Sequence, residues 1–381
     1  MTTHVFIVTE QSFRVHLEYM FVGTGAKDKD NQDKDVDFNG VASSNLKPQT
    51  ENGLISMMSD FSRVRIGDYV LFYVQSLGKK DGKFYGIYQI NSTPFHEPSS
   101  KNQYLCNSLG KNLTFRALIK PYKVYAEGVT EWEALDEIKG INAPNQMQWS
   151  LIYRKLKGNR GNTMITIYEA ERLFNLIKTR NNNSTIFGNS YSYDDDKQVA
   201  LNTPQKQYTG NIQAHFNILP RLIYKKYNKK AFEAHLQMFV VQNICNHNSL
   251  DNALKINHKG FEWLGNEVSC GVGMQRIDIM FSQNIDDIER EVVPVELKDE
   301  SANVDNVKQL SRYIKWIEQY YISNRPSTIR PVLICRASGL RDVTKQAFHK
   351  FNDEYKGRCL PLEYIEFTDN GTDLIFTNTP Y

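Results

Sequence analysis

Met274-Gln275-Arg276-Ile277-Asp278-Ile279-Met280-Phe281, followed by Pro294-Val295-Glu296-Leu297-Lys298, is the text that decides the fold of this chain. Both stretches alternate with a period of two, as strands do. Arg276, Asp278 and Met280 fall on one face of the first stretch, with Ile277 and Ile279 on the other. In the second, Glu296 and Lys298 share a face opposite Val293, Val295 and Leu297. Strands this apolar are expected to be buried, and buried charge is costly unless it is paired or binds a metal. Two neighbouring carboxylates repel, and a divalent cation removes the repulsion. Asp and Glu oxygens are the hard ligands that magnesium prefers, and a lysine beside them can contact water or phosphate. This is the equipment of metal-assisted phosphodiester hydrolysis. The plainer alternative is a half-exposed strand pair with a Glu296–Lys298 surface salt bridge.

Asp278, a gap, and Glu296-Leu297-Lys298 together resemble the PD-(D/E)XK nuclease core. The local text is similar to the C-terminal catalytic domain of the NucS/EndoMS endonucleases: Arg-Ile-Asp-Ile, Val-Glu-Leu-Lys, Gln309-Leu310-Ser311-Arg312-Tyr313, and the strand-like Ile329 to Cys335. The resemblance runs from residue 225 to residue 366. It implies that Asp278 and Glu296 ligate Mg2+ or Mn2+ and that Lys298 completes the catalytic set. It also implies that Glu233, on the helix Ala231 to Val241, assists metal or water binding. Gln309 and Tyr313, four apart on one helix face, would sit beside the metal and support the scissile phosphate or Lys298. The text departs from the family at Gln275, where glycine is common, and at Pro294, which cannot donate a ladder hydrogen bond.

The N-terminal half reads as many strands with few helices, which suggests a small barrel. Strands are expected at Val5 to Val8, Tyr69 to Val74, Phe84 to Ile90 and Leu113 to Ile119, with a helix from Gly53 and another over Ile167 to Ile177. The runs Gly67 to Val74, Phe84 to Ile90 and Phe115 to Val124, with Phe6 to Thr9 and Phe13, resemble PUA-like domains of the EVE and YTH-like kind. That resemblance implies a pocket for a modified or flipped base, which needs aromatic faces for stacking and polar groups for its edge. It places Phe21, Gly23 and Thr24 at the first pocket wall, and Ser43, Ser44 and Asn45 in the segment beneath. Aromatics on barrel strands are more often core, the competing expectation for each of them.

At 381 residues, two domains are the natural prior. The polar, aperiodic stretch from Asn181 through Asp194-Asp195-Asp196 to Pro204 reads as a linker. The expected chain is therefore α/β and α+β. Residues 1–180 form a PUA-like β-barrel with helices, 181–210 a linker, and 211–381 a PD-(D/E)XK restriction-endonuclease-like mixed sheet flanked by helices. No run is apolar enough for a membrane span, and no signal peptide is expected. Five scattered cysteines without a Cys-x-x-Cys pair point to a reducing cytoplasm and against structural zinc. A net charge of +3 gives little support for nucleic-acid binding. The local groups Lys225-Lys226, Lys229-Lys230, and Lys155, Lys157 with Arg160 could meet phosphates, or be ordinary solvated surface.

The leading expectation is a modification-dependent DNA endonuclease of the restriction or defence type. It would bind double-stranded DNA carrying a modified base, modified cytosine foremost, and cut nearby; cutting both strands would favour a homodimer. The alternatives are a repair-type nuclease for mismatched or branched DNA, and a non-catalytic nucleic-acid-binding protein.

Overall fold

The computed structural model describes residues 1–25, 48–97, 102–135, 144–148, 150–151, 161–212, 216–270 and 275–381. These fall into two compact units. The first takes its described residues from Met1–Asp37, Asp60–Asn142 and Met147–Phe216; the second from Phe38–Ser59, Ala143–Gln146 and Asn217–Tyr381.

The first unit begins β1 (Thr3–Val8), α1 (Glu10–Tyr19), β2 (Phe21–Thr24). Thr9 caps α1 through a reciprocal pair of bonds with Ser12. Helix α2 (Pro48–Ser62) follows; its residues through Ser59 group with the second unit. Then come β3 (Tyr69–Val74), β4 (Lys83–Ile90), β5 (Phe95–His96), α3 (Cys106–Leu109), β6 (Phe115–Pro121), β7 (Val129–Thr130), α4 (Glu131–Leu135), β8 (Asn162–Ile165) and α5 (Ile167–Arg180). The sheet runs β2-β6-β4-β3-β1-β8, with β5 on β6 and β7 on β4. Its path is open among the described residues, yet its ends approach. A Cβ added to Gly161, just before β8, would lie 2.0 Å from the hydroxyl oxygen of Thr24 at the end of β2. The expected barrel is thus a curled eight-stranded sheet. Val5, Leu71, Tyr73, Phe84, Leu173 and Ile177 share one of its buried cores.

Residues 181–210 are not a linker. They include the antiparallel hairpin β9 (Tyr191–Asp194) and β10 (Val199–Asn202). Tyr191 and Tyr193 are buried, and Tyr193 packs on Phe13 and Tyr85 with ring centroids 5.1 and 5.6 Å away. The hairpin's inward residues are aromatic while its flanks are polar, so average polarity hid a strand pair.

The second unit contains α6 (Leu219–Tyr227), α7 (Glu233–Asn243), α8 (Asn248–Ala253), β11 (Phe261–Ser269), β12 (Arg276–Asn284), β13 (Arg290–Lys298), α9 (Val304–Trp316), β14 (Thr328–Ile329), β15 (Val332–Arg336), α10 (Asp342–Glu354), β16 (Glu363–Asp369) and β17 (Leu374–Asn378). Its mixed sheet is ordered β11-β12-β13-β15-β16-β17, with β14 also on β13. Every side chain from Glu291 to Leu297 is buried, so both faces of β13 are covered. Pro294 is accommodated where the parallel partner of β13 changes: Val292 pairs with Ile329 of β14, and Val295 with Val332 of β15. Arg330 and Pro331 fill the gap, so on that edge no regular ladder asks for the missing N–H. Asn303 caps α9, accepting from the N–H groups of Asp305 and Asn306. No helix among the described residues is long and apolar enough to cross a membrane. The chain is therefore a mixed α/β protein of two units.

Candidate active site

The site arises where two strands part. β12 and β13 pair regularly as far as Ile279 opposite Val295. Continued, that register would oppose Ile277 to Leu297. Instead the Leu297 N–H donates to Asp278 Oδ2 at 2.8 Å, so a side chain takes the ladder's place. Period two then sets Glu296 and Lys298 beside Asp278 at the open end of the pair.

Glu296 is fully buried. Its Oε2 accepts from the Tyr313 hydroxyl at 2.6 Å, and Lys298 Nζ lies 2.9 Å from its Oε1. Oε1 itself accepts no well-aligned hydrogen bond. Lys298 also donates to Glu233 Oε2 at 3.2 Å. The Tyr313 hydroxyl lies 2.8 Å from the Arg276 carbonyl oxygen, tying α9 to the first residue of β12. Gln237 of α7 donates to the Asp278 carbonyl oxygen at 3.0 Å. Thus α7, α9, β12 and β13 each supply part of one cluster.

Its electrostatics are those of crowded negative charge. Burial, then the Glu296 carboxylate, pushes the Asp278 carboxyl well above its usual range. Burial raises Glu233 as well, against the opposing pull of Lys298. For Lys298, burial acts downward, but Glu296, Asp278 and Glu233 outweigh it and hold the ammonium above the ordinary lysine range. Tyr313 is pushed far up by burial and by both carboxylates, so it stays a donor.

Asp278, Glu296, Lys298, Glu233 and Tyr313 are therefore brought together. Gln309 is half-buried on α9, and its side chain is not among those that bond to the cluster. Among the described residues there is no group of three or more His, Cys, Asp or Glu side chains arranged to hold a metal. Two carboxylates suit a cation that keeps several of its waters, as magnesium does.

The candidate base site looks different. Phe21 is fully buried, with His16 and Tyr208 rings 4.6 and 5.3 Å away and the Arg116 guanidinium 5.2 Å over its face. Its ring has no face open to a base, because β2 turns it into the core. At Gly23 an added Cβ would meet the Phe115 carbonyl oxygen at 3.0 Å, and Thr24 is buried. Ser43, Ser44 and Asn45 lie outside the described residues, as do Lys155, Lys157 and Arg160. What the sequence reading missed here is Arg116, fully buried, which donates to Tyr208 OH, Gln103 Oε1 and the carbonyls of Leu113 and Tyr104. An arginine between Phe115 and Ala117 on an apolar strand was the available signal.

The lysine groups are also sorted. Lys225 is buried and pairs with Glu51, and Lys226 pairs with Asp369. Only Lys229 and Lys230 of that group are exposed.

No protein-family model matches the chain, and no curated protein does. Among solved structures, human THYN1 protein, crystallised in complex with DNA containing 5-methylcytosine, matches with a TM-score of 0.26 and 9% identity, over 47% of this chain and 98% of that one. A likeness at that level carries no argument about function.

Proposed function

We propose that the second unit is a PD-(D/E)XK-type endonuclease acting on double-stranded DNA, and that the first is a PUA-like domain that directs it to a modified base, modified cytosine foremost. The observation that supports the nuclease reading is the half-buried Asp278 beside the fully buried Glu296, with Lys298 Nζ 2.9 Å from Glu296. Such a pair is strained by its own charge, and a divalent cation relieves it. Asp278 and Glu296 would hold Mg2+ or Mn2+, which when bound polarises the phosphate and acidifies a water. Lys298 is charged throughout the working pH range, so it acts as a fixed cation toward phosphate or water rather than as a base. Tyr313 donates to Glu296 Oε2 and thereby fixes the rotamer that leaves Oε1 toward Lys298. Glu233 holds the other side of the ammonium.

The test is incubation with magnesium and duplexes of one sequence: plain, methylated, hydroxymethylated, mismatched and branched. Cleavage is expected to need the metal, to favour modified cytosine, and to fall at least about 100-fold in Glu296→Ala. Full activity of that variant would sink the catalytic assignment. Preference for mismatched or branched DNA without preference for modification would replace restriction by repair. Binding without any cleavage would leave a non-catalytic reader.

A further inference from the structure

A second buried ionic cluster lies in the same unit. Glu51 of α2, 5% exposed, receives Arg221 Nε at 2.8 Å on Oε1 and Arg221 Nη2 at 3.1 Å on Oε2. Lys225 Nζ is 3.4 Å from Oε2, and His235 Nε2 is 2.9 Å from Oε1. Arg221 and Lys225 come from α6, and His235 from α7. A carboxylate only accepts, so His235 carries its proton on Nε2. Nδ1 is then a bare acceptor, which agrees with its being buried without a partner. Burial lowers the imidazole's proton affinity more than Glu51 restores it, so His235 serves as a neutral donor.

Helix α7 starts at Glu233 without a side-chain cap. Its entry is fixed at two points instead. The Phe232 N–H donates to Asp299 Oδ2 at 2.6 Å, next to Lys298, and His235 is held by Glu51. Glu233 lies between these anchors. We propose that Glu51 is a positioning residue for the candidate centre: through His235 it sets the first turn of α7, and so the 3.2 Å contact of Glu233 with Lys298. The functional part of this rests on the nuclease reading; the positioning part does not.

The experiment uses the full chain with Glu51→Gln, and Glu51→Asp, which keeps the charge, in case the first does not fold. His235→Gln, which retains an N–H donor, is compared with His235→Leu. Two readouts are taken. Carboxyl NMR follows the titration of Glu233, whose surroundings include Lys298, Glu296 and Asp299. Cleavage kinetics give kcat and KM separately. In Glu51→Gln and His235→Leu, Glu233 is expected to titrate lower as its turn loosens and becomes more solvated. In both, kcat is expected to fall about 10- to 100-fold with KM unchanged, and His235→Gln to stay close to the parent. Unchanged Glu233 titration and kcat despite a lower melting temperature would reduce the cluster to a structural role and overturn the proposal. A gain in DNA affinity at unchanged kcat would overturn it too, showing that the released cations bind phosphate. If the parent does not cleave at all, the nuclease reading fails and the Glu233 titration alone decides the positioning role.

Discussion

At the scale of the residue, Asp278 sets the terms. Its carboxyl is raised by burial and by Glu296, and the sign of the consequence follows by linkage. Below the ordinary carboxylate range both folded and unfolded chains hold the proton, and the site costs nothing. As pH rises through that range, the unfolded chain releases its proton first, and the folded state loses stability until the raised folded value is passed. Asp278→Asn should therefore be more stable than the parent at neutral pH, by on the order of 1 kcal/mol, and no more stable near pH 3.5. Magnesium should raise the urea midpoint of the parent at neutral pH and leave the variant unmoved. Urea unfolding at both pH values, with and without the metal, checks this. An equal response of both proteins to magnesium would place the metal elsewhere.

At the scale of the element, the strands with clean alternation were readable: 276–281 and 294–298 lie within β12 and β13, and Glu296 and Lys298 share a face as their spacing requires. The helix beginning near Gly53 and the one over 167–177 are also present. The β9–β10 hairpin was not readable, because its burial depends on Tyr193 meeting Phe13 and Tyr85, and Tyr191 meeting Tyr88, from far along the chain. Phe21 read as a pocket wall because a sequence does not show which way a short strand faces. A fragment ending at Arg180 would lack the hairpin and expose Phe13 and Tyr85. It should melt without cooperativity, whereas one ending at Phe216 should melt in one transition. Tyr193→Ala should cost the longer fragment about 3–5 kcal/mol, by analogy with other large aromatic truncations. Circular dichroism melts of the three proteins test this; equal cooperativity of the two fragments would show that the hairpin is dispensable.

At the scale of the whole molecule, the units do not follow chain order. Residues up to Ser59 of α2 belong with residues 217–381, so cutting between 181 and 210 separates Glu51 from Arg221, Lys225 and His235. No local pattern announces this, since a glutamate in the first turn of a helix is ordinarily a surface residue. A fragment of residues 217–381 should leave Arg221 and Lys225 without their counter-ion and melt below the intact chain. Adding a peptide spanning 48–62 should raise its melting temperature, and the same peptide with Glu51→Gln should not. A fragment as stable as the intact chain, indifferent to the peptide, would show that the grouping of α2 with this unit has little energetic weight.

The splay of β12 from β13 has one more consequence. The Leu297 amide is bonded to a side chain that can change its charge, rather than to a carbonyl that cannot. Deuterium uptake at this single backbone position becomes a gauge of the carboxylate beside it. A cation drawing on Asp278 would weaken its hold on the amide proton and speed the exchange, while the neighbouring amides of the strand kept their pace. The occupancy of the site could then be read from the main chain, without any substrate.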